Sequence, residues 1–332
     1  MLRDRLLRPI SKISITPPAP AQDRAGLAIV LIVRNEARHI AEWANFHFHA
    51  GVRHFFVYDN ASTDNTIGIL RDALPEAALT VIPWSQPRFR TLLNREIHNQ
   101  VLAYAHALMN FGAAFRWIAF IDVDEFIIPV TANSIPEALQ ELDSEAHISL
   151  PWHMFGRNGH AQPPAGGVLT NYMQRASHPF GLSHGLNFKC LVDPARVTTV
   201  GVHAFDIDNR AEGVNDQGLK AAHDARTKQE FYSHARLQLN HYYTRSNSEL
   251  QAKIQRGSNR KVREDRHIRR VLRIVTAIEQ DTVLDQTATN FLTRLRSARI
   301  RPDFPSFPWE VPALTDPVHH GFGHLKENPD GL

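Results

Sequence analysis

Residues 118–126 read Ile-Ala-Phe-Ile-Asp-Val-Asp-Glu-Phe. The apolar run 118–121 has the character of a buried strand, and it ends abruptly in two carboxylates, Asp122 and Asp124, that are one residue apart. Successive side chains of an extended segment alternate between its two faces, so residues i and i+2 share a face. This stretch therefore predicts a strand that brings two acidic groups to one side of its end.

Two neighbouring carboxylates resist being ionised together unless a cation joins them. Hard oxygen ligands that leave room for water and phosphate oxygens suit Mg²⁺ or Mn²⁺. We therefore expect a divalent cation at Asp122 and Asp124, holding a diphosphate at the end of the strand. Taken alone, these three residues are equally compatible with an Asp-rich turn, and the surrounding sequence has to decide between the two interpretations.

The composition is that of a soluble globular protein. The chain has 332 residues, 43% of them hydrophobic and 21% charged, with a net charge of +3. A single cysteine, Cys190, excludes an intrachain disulfide and fits a reducing compartment. The longest apolar run, residues 27–33, is too short to span a bilayer, and the N-terminus lacks the apolar core of a secretory signal. We therefore expect a cytoplasmic protein.

Residues 1–25 predict a basic, flexible leader that is separate from the folded domain. In this segment the basic residues Arg3, Arg5, Arg8 and Lys12 precede a run that contains Pro17, Pro18 and Pro20. Leucines between the basic residues allow an alternative, in which the leader contacts an anionic membrane surface. On that alternative the protein lies peripherally on the inner face of the membrane.

Strand and helix patterns alternate four times over about the first hundred residues after the leader. The predicted strands are 27–33, 54–58, 79–83 and 117–121, each followed by a helical or polar segment. This alternation predicts an α/β fold built on a doubly wound, mostly parallel sheet with flanking helices. Ligands of such sheets bind at the carboxyl ends of the strands.

Polar clusters follow three of these strands. They are Asn35-Glu36, Asp59-Asn60, and the pair Asp122 and Asp124. Their convergence on one sheet edge predicts a ligand site there. Neither G-x-G-x-x-G nor G-x-x-x-x-G-K-[ST] occurs after any of the strands, which argues against a Rossmann dehydrogenase and a P-loop kinase. Diphosphate charge must then be met by metal and side chains.

Beyond residue 130 the pattern becomes irregular, and we divide the chain accordingly. We expect a nucleotide-binding half at 26–130 and an acceptor-side half at 131–257, together forming one catalytic domain at 26–257. A helical extension with a Pro-rich tail follows at 258–332. Residues 206–232 are polar and irregular, which predicts a flexible loop.

Residues 253–273 contain nine Lys or Arg against two acidic residues, a net charge of +7. No recognised nucleic-acid module and no interleaved aromatic residues accompany this run, so we expect no nucleic-acid partner. A solvated helix face near an anionic diphosphate or an anionic lipid is the interpretation that we favour.

In their order, these motifs resemble those of known glycosyltransferases. Residues 59–66, Asp-Asn-Ala-Ser-Thr-Asp-Asn-Thr, resemble the DDGSTDGT element of family 2, and Val33-Arg34-Asn35-Glu36 resembles its first-strand element. Asp122-Val123-Asp124 resembles the metal-binding D-x-D of the GT-A fold. The later half resembles family 92 and its bacterial relatives. Its resembling stretches are 124–126, 152–160, 188–203 and 241–257.

The resemblance covers residues 27–257 and implies a GT-A-like fold with a metal-dependent donor site. It implies nucleotide-binding roles for Asn35, Glu36, Asp59 and Asp122, with Arg245, Lys253 and Arg256 as candidates to add positive charge at the pyrophosphate. It implies a metal site at Asp122 and Asp124 that a histidine, His203 or His241, completes. Asn60 and Ala61 depart from the family 2 pattern, so no second carboxylate is expected there.

Two further roles are assigned by residue type. An inverting glycosyl transfer needs a base for the acceptor proton, and the candidates are Glu125, Asp206 and Asp208. Aromatic side chains suit the apolar C–H faces of sugars. The acceptor candidates are Trp152, His153, Phe155 and His160. A structural role in the core is the alternative for these aromatics and for His203 and His241.

Together these features predict a transferase of hexosyl type. It would move a sugar from a nucleotide-sugar donor, with UDP as the nucleotide, to a glycan or glycoconjugate, with inversion and with Mn²⁺ or Mg²⁺ as cofactor. One alternative is a nucleotidyltransferase that makes sugar nucleotides, although its Gly-rich first loop is absent. Another is a non-catalytic module that binds glycans or lipids, which has no need of the Asp pair.

Overall fold

The computed structural model describes residues 9–85, 96–178, 187–256 and 264–297. The strands are β1 (Lys12–Ser14), β2 (Leu27–Val33), β3 (His54–Asp59), β4 (Leu79–Pro83), β5 (Trp117–Phe120), β6 (Glu125–Pro129), β7 (His147–Met154), β8 (Gln174–Ala176), β9 (Phe188–Val192), β10 (Val197–Gly201), β11 (Phe205–Ile207), β12 (Glu212–Val214), β13 (Lys220–Ala222), β14 (Leu237–His241) and β15 (Thr282–Leu284). The helices are α1 (Ile40–His49), α2 (Thr66–Ala73), α3 (Asn99–Phe111), α4 (Ile135–Leu139), α5 (Val168–Asn171), α6 (Asn247–Arg256), α7 (Glu264–Gln280) and α8 (Thr287–Ser297).

The N-terminal half is the predicted parallel α/β unit. β2 lies between β3 and β5, β4 lies outside β3, and all of these neighbours are parallel. Alternate residues of β2 enter two separate cores, because side chains alternate across a sheet. Leu31 faces the core that contains Trp43 of α1, whereas Val30 faces the core that contains Tyr104 of α3. Helices thus cover both faces, and the α/β class is confirmed.

The other half of the sheet is mixed, so that parallel pairs outnumber antiparallel ones only slightly in the sheet as a whole. β9 runs antiparallel to β5 and to β7, and β14 pairs in parallel with β7 but antiparallel with β6. The edge of β5 is thus filled by a strand from about 70 residues further along the chain, with Phe120 opposite Cys190. Such long-range pairing brings Lys189 of β9 next to the end of β5.

β6 is a strand that the hydrophobic pattern did not indicate. It begins at Glu125, directly after the Asp pair, and all five of its residues are buried. β14 pairs along its whole length, from Leu237 opposite Pro129 to His241 opposite Glu125. This register carries His241 to the same sheet edge as the Asp pair.

Residues 206–232 are not a featureless loop, which corrects the prediction of flexibility. They contain most of β11, together with β12 and β13. Buried polar side chains fix the segment to the sheet: the Arg226 guanidinium donates to Ser149 Oγ over 2.8 Å, and Asp216 is buried at the start of β14. Part of the leader is also ordered, since β1 pairs antiparallel with β10.

The helices of the C-terminal extension pack on the central sheet. Ile274 and Ile278 of α7 bury against Met154 of β7, and the ring of Phe291 in α8 lies 5.6 Å from that of Phe46 in α1. Residues 264–297 therefore share a hydrophobic core with β7 and α1 of the preceding domain, residues 26–257. Across the described ranges, no helix has both the length and the apolar character needed to cross a membrane.

Candidate active site

The Asp pair lies in a turn between β5 and β6, since β5 ends at Phe120. Asp122 and Glu125 close this turn reciprocally. The Glu125 amide donates to the Asp122 carbonyl over 3.0 Å, and the Asp122 amide donates to Glu125 Oε2 over 2.8 Å. The strand-like alternation predicted for these residues is therefore wrong, and the two carboxylates meet different partners.

Asp122 is neutralised by Lys189, a cation from within the fold. We name Asp122, Lys189 and Gln100 the lysine side. Lys189 Nζ lies 2.6 Å from Asp122 Oδ2 and 3.3 Å from Glu125 Oε2, and its side chain is only 1% exposed. Gln100 Nε2 donates to Asp122 Oδ1 over 3.3 Å. Burial alone would lower the pKa of Lys189, but Asp122 and Glu125 raise that pKa well above its usual value. Lys189 is therefore a permanent internal cation.

The partners of Asp124, His241 and Lys253, lie at longer distances. We name Asp124, His241 and Lys253 the histidine side. Asp124 Oδ2 lies 3.4 Å from His241 Nε2 and 3.5 Å from Lys253 Nζ. Against the opposing effect of burial, these two groups hold the pKa of Asp124 well below its usual value. Burial lowers the pKa of His241, so the imidazole is neutral and offers a lone pair. Within the described residues, His241 Nδ1 has no hydrogen-bond partner.

Glu125 lies between the two sides and is completely buried. Burial raises its pKa to about 8, against the lowering effect of Lys189 and with the support of the neighbouring Asp122 and Asp124 charges. Its Oε1 atom is buried with no hydrogen-bond partner among the described residues. An unpaired oxygen of this kind is costly to bury and normally has a partner when the site is filled.

Asp124, Glu125 and His241 form the one group of potential metal ligands found in the described part of the chain. One ligand atom from each lies within 4.8 Å of the others. The unpaired Glu125 oxygen and the neutral imidazole supply donor atoms that no protein group uses. Two carboxylates and an imidazole suit Mn²⁺ or Mg²⁺ with water and phosphate oxygens in the remaining positions. The residues present therefore fit a divalent cation.

His203, the other predicted histidine, is outside this group. Its Nδ1 is 3.2 Å from the Phe188 carbonyl oxygen, and its ring lies edge-on to Trp152 at 5.6 Å. Burial, with Lys189 nearby, lowers the pKa of His203 to about 3. A neutral ring with a backbone partner indicates a structural position beside the site.

Asp206 and Asp208, two of the predicted bases, lie on or after β11 in a separate three-stranded sheet. Asp208 pairs with Arg196 at 2.5 Å, and Asp206 is 3.9 Å from Lys12. The described contacts do not join either carboxylate to the Asp pair. Of the three predicted bases, Glu125 alone adjoins the Asp pair.

The loops after β2 and β3 interlock at the same sheet edge. Asn35 adopts a left-handed backbone conformation, with φ of 57°. Its Oδ1 accepts the Thr63 amide over 2.7 Å, and its own amide donates to Ser62 Oγ over 3.2 Å. Asp59 Oδ1 in turn accepts the Ser62 amide over 3.0 Å. The predicted nucleoside residues Asn35 and Asp59 are thus brought together by one network.

Arg245 connects these loops to the Asp pair. Its guanidinium is 4.0 Å from the Glu36 carboxylate and donates to the Val123 carbonyl over 3.5 Å. Arg245 has a φ of 51°, a conformation that is uncommon for a residue with a side chain. Arg256 is the last residue of α6, and its side chain lies outside the described residues.

A capping box follows Arg245 and fixes the start of α6. The Ser246 amide donates to Glu249 Oε2 over 2.9 Å, and the Glu249 amide donates to Ser246 Oγ over 3.4 Å. The other Glu249 oxygen lies 2.6 Å from His39 Nε2, in the segment that precedes α1. The strained corner at Arg245 is therefore tied both to its own helix and to the loop after β2.

The four predicted acceptor residues separate in the structure. The Trp152 ring lies 4.4 Å from the His241 ring, so it borders the histidine side. Phe155 is 1% exposed and packs on Tyr242 in the core. His153 is buried against Tyr232. His160 lies near Tyr172, and its Nε2 is 3.2 Å from the Asn171 carbonyl oxygen.

Sequence reasoning missed the role of Lys189 and the membership of Glu125 in the metal group. Lys189 had a signal, because it is the one charged residue in the buried stretch Phe-Lys-Cys-Leu-Val and such a lysine needs an acidic partner. Gln100 had none, since it lies at the polar start of an ordinary amphipathic helix. Its partner is set by the packing of α3 on the sheet.

A family model describes most of this chain. The model for glycosyltransferase family 92 matches residues 30–273. The matched range includes both sides of the Asp pair, the interlocked loops and the capping box of α6.

Plant proteins are among the curated relatives. A glycosyltransferase family 92 protein of Ricinus communis is 28% identical over 204 residues, covering 58% of this chain and 34% of the relative. One from Arabidopsis thaliana is 28% identical over 210 residues, covering 58% of this chain and 33% of the relative. The chain therefore spans about a third of the length of these relatives.

Two solved structures show a more distant likeness. S. aureus TarS residues 1–349, in complex with UDP-GlcNAc, is 14% identical with a TM-score of 0.34, over 76% of this chain and 72% of that one. Glucosyl-3-phosphoglycerate synthase of Mycobacterium tuberculosis, in complex with Mn²⁺, UDP-glucose and phosphoglyceric acid, is 19% identical with a TM-score of 0.29, over 52% and 58% respectively.

Proposed function

The chain belongs to glycosyltransferase family 92, and we propose that it transfers a sugar from a UDP-linked donor to a hydroxyl group of a glycan or glycoconjugate. The observation that supports this most is the group formed by Asp124, Glu125 and His241 at the carboxyl edge of the sheet. Ligand sites of α/β sheets lie at this edge. A divalent cation held there by these three residues would stabilise the negative charge of the departing diphosphate.

The side chains around the cation site supply further positive charge. Lys253 Nζ donates to the Tyr243 carbonyl over 2.7 Å and lies 3.7 Å from the centroid of the Tyr243 ring. That anchoring fixes the ammonium group 3.5 Å from Asp124. With Arg245 on the other side of the turn, it places two cations where a diphosphate would lie. Positive groups held in position before the reaction stabilise charge that develops in the transition state.

The nucleoside belongs to the interlocked loops. Asp59 and Asn35 have their backbone partners fixed by Ser62 and Thr63, so the loops keep one shape before a ligand arrives. A preformed site loses less entropy on binding than a flexible one. We propose that Asp59 and Asn35 meet the base and ribose, and that the lysine side closes the site beneath them.

The acceptor belongs beyond Trp152, on the histidine side. The Trp152 Nε1 atom has no partner among the described residues, and its ring lies beside His241. A cavity of about 300 Å³ opens nearby, where Arg157 pairs with Glu279 and donates to Asn247 Oδ1. Asn247 is the first residue of α6, the helix that carries Lys253. These polar groups suit the hydroxyl groups of a sugar.

We propose an inverting reaction, in which a base takes the proton of the acceptor hydroxyl. We assign this base to none of the predicted residues, because Glu125, the one that adjoins the site, is a buried ligand of the proposed cation. A cytoplasmic location is also a proposal, and it rests on composition alone.

The experiment is a calorimetric titration of the full chain with UDP, with and without Mn²⁺. The wild type should bind UDP only with the metal, and Asp124→Ala should lose that binding. Asp72→Ala is the matched control, because Asp72 is an exposed residue of α2. UDP binding that is equally strong without Mn²⁺ and in Asp124→Ala would contradict the metal assignment. If UDP does not bind under either condition, the glycosyltransferase proposal fails, and the alternative of a non-catalytic module that binds glycans or lipids remains.

A further inference from the structure

The first turn of α3 carries two polar side chains that reach separate parts of the candidate active site. Asn99 and Gln100 are the first two residues of this helix. Asn99 Oδ1 accepts the indole Nε1–H of Trp84 over 2.9 Å. Gln100 Nε2 donates to Asp122 Oδ1 over 3.3 Å and contacts the Tyr104 hydroxyl at 2.6 Å. We name Asn99 and Gln100 the helix anchor.

Both contacts of the helix anchor lead to residues that we place at the donor. Trp84 directly follows β4, and its side chain is only 9% exposed. The Trp84 amide donates to the Asp59 carbonyl over 2.8 Å, and its ring lies edge-on to that of Tyr58 at 4.9 Å. The anchor therefore holds the backbone of Asp59 through Trp84, and it holds the carboxylate of Asp122 directly.

These two contacts belong to strands that are not neighbours in the sheet. The strand order is β5, β2, β3, β4, so two strands separate β5 from β4. Three strand spacings of about 4.8 Å amount to about 14 Å. The interlocked loops follow β2 and β3, the two strands in between. The helix anchor thus connects the outer strands of the parallel unit and fixes the width of the edge where the nucleotide is proposed to bind.

The ordered part of the leader holds the chain immediately before α3. The Ile10 amide donates to the Glu96 carbonyl over 2.7 Å, and the Ile10 carbonyl accepts the His98 amide over 2.9 Å. We name these two hydrogen bonds the bracket. The first N–H groups of a helix have no partner within the helix, and helix ends open easily. His98 is the N-cap residue of α3 and makes no side-chain cap, so the bracket supplies stabilisation where a cap would.

The rest of the ordered leader has a different partner. β1 pairs with β10, and the Ile15 amide donates to the Thr198 carbonyl over 3.0 Å. This hydrogen bond goes to β10 and not to the segment before α3. The leader therefore makes two kinds of backbone contact that can be removed separately.

We propose that the helix anchor positions Asp59 and Asp122 for the nucleotide and that the bracket holds the anchor in place, an inference that rests on the proposed function. Asn99 and Gln100 are positioning residues, because they act through Trp84 and Asp122. A site that keeps its shape before the ligand arrives loses less entropy on binding. Loosening the first turn of α3 should therefore weaken nucleotide binding while the protein stays folded.

The test of the bracket compares Ile10→Pro with Ile15→Pro. Proline has no N–H, so each variant loses one backbone hydrogen bond, to Glu96 in the first and to Thr198 in the second. Hydrogen exchange of residues 99–103, measured without nucleotide, should be faster in Ile10→Pro and unchanged in Ile15→Pro. With Mn²⁺, Ile10→Pro should bind UDP about fivefold more weakly, which corresponds to one hydrogen bond of about 1 kcal/mol. Ile15→Pro should bind UDP as the wild type does.

Gln100→Met tests the anchor itself, because methionine keeps the length and the helix propensity of glutamine without its hydrogen bonds. It should also weaken UDP binding about fivefold. Asn110→Met is the matched control, at an exposed position near the other end of α3, and it should bind UDP as the wild type does. Thermal unfolding shows whether each variant is folded at the temperature of the titration.

Three results would overturn the proposal: unchanged hydrogen exchange in Ile10→Pro, unchanged UDP binding in both Ile10→Pro and Gln100→Met, or equal weakening of UDP binding by the two proline variants. A wild type that binds no UDP with Mn²⁺ would refute the proposed function, and the positioning role with it. The hydrogen exchange experiment contains no nucleotide, so it distinguishes that failure from a failure of the bracket.

Discussion

The lysine side and the histidine side meet at one turn of four residues, 121–124, between β5 and β6, yet their carboxylates have different partners. Asp122 is 2.6 Å from the ammonium group of Lys189, whose side chain is 1% exposed. Asp124 is 3.4 Å from His241 and 3.5 Å from Lys253, and the Lys253 side chain is 28% exposed. Asp122 therefore has a tight internal cation, whereas Asp124 has only longer contacts, although the Asp122 side chain is the more exposed of the two, at 41% against 26%.

The difference shows that an Asp-x-Asp pattern does not by itself assign two equal ligands. If both carboxylates lacked an internal cation, their repulsion would have to be removed by the metal or by protonation. Lys189 neutralises Asp122, and Glu125, with its pKa raised to about 8, is mostly protonated at neutral pH. The metal therefore has to neutralise Asp124, and its binding would displace the proton of Glu125. We infer that the lysine side fixes the geometry of the turn and that the histidine side performs the binding.

The largest expected effect comes from removing the internal cation. Lys189→Met should lower the free energy of unfolding by up to about 3 kcal/mol, because Asp122 loses its cation; water screens part of this loss, since the Asp122 side chain is 41% exposed. Denaturant unfolding at neutral pH measures this loss.

The double variant Lys189→Met/Asp122→Asn supplies the control for that prediction. It removes the negative charge of Asp122 together with the positive charge of Lys189, so it should be more stable than Lys189→Met alone. A double variant no more stable than the single one would show that Lys189 acts through packing and not through charge.

The next largest effect separates the two histidines. His241→Gln should weaken Mn²⁺ binding by more than about 100-fold, because losing a ligand should exceed the 10- to 100-fold loss typical of residues that only orient the ligands. His203→Gln should leave Mn²⁺ binding nearly unchanged, because His203 lies outside the group of potential ligands. Equal losses in the two variants would remove the distinction between the histidine side and its surroundings.

The dependence of stability on pH tests the role of His147, a buried residue that packs beside the lysine side. His147 lies beside Cys190, the neighbour of Lys189, and burial, with the Arg226 charge, lowers its pKa to about 3. A histidine with a lowered folded pKa stabilises the protein above the unfolded pKa of about 6.5 and loses that contribution as the pH falls toward the folded pKa.

From pH 7 to pH 5, this single group should cost the folded state about 2 kcal/mol. His147→Gln lacks the titrating group, so the stability difference between wild type and variant should shrink by that amount over the same interval. Unfolding curves at the two pH values give the difference. A constant difference would mean that His147 does not titrate between the folded and unfolded states in this range.

The smallest effect compares two capping boxes. Glu249 caps α6 beside the histidine side, where its carboxylate accepts the Ser246 amide. Glu137 has the corresponding position in α4: its amide donates to Ser134 Oγ over 3.2 Å, and its carboxylate accepts the Asn133 amide over 3.0 Å. Glu249→Gln and Glu137→Gln should each cost up to about 1 kcal/mol of stability. Only Glu249→Gln should also weaken UDP binding with Mn²⁺, since it loosens the corner at Arg245. Equal UDP binding in the two variants would limit Glu249 to a helix-capping role.

Much of the nucleotide half was readable from the sequence. The run Leu27–Val33 is apolar at every position, which only a strand buried on both faces explains, and β2 has those bounds. The loops at Asn35 and Asp59 were predicted because polar residues directly follow apolar strands there. The local hydrophobic pattern was enough to predict this half, because neighbouring strands such as β2 and β3 are separated in the chain by a single helix.

The second half depends on pairings that no local pattern shows. β9 inserts between β5 and β7, and β14 meets β6 in a register that places His241 opposite Glu125. The choice between His203 and His241 depends on that register. The pairing of Asp122 with Lys189 likewise depends on β9 lying against β5.

The most direct test of the difference between the two sides is Mn²⁺ binding to the full chain without nucleotide, measured by electron paramagnetic resonance. Asp124→Asn and Asp122→Asn remove one charge each from the same turn. Asp124→Asn should abolish Mn²⁺ binding, whereas Asp122→Asn should weaken it by no more than about 10- to 100-fold, as expected for a residue that orients the ligand Glu125 without being a ligand. Equal losses in the two variants, or a greater loss in Asp122→Asn, would contradict the account.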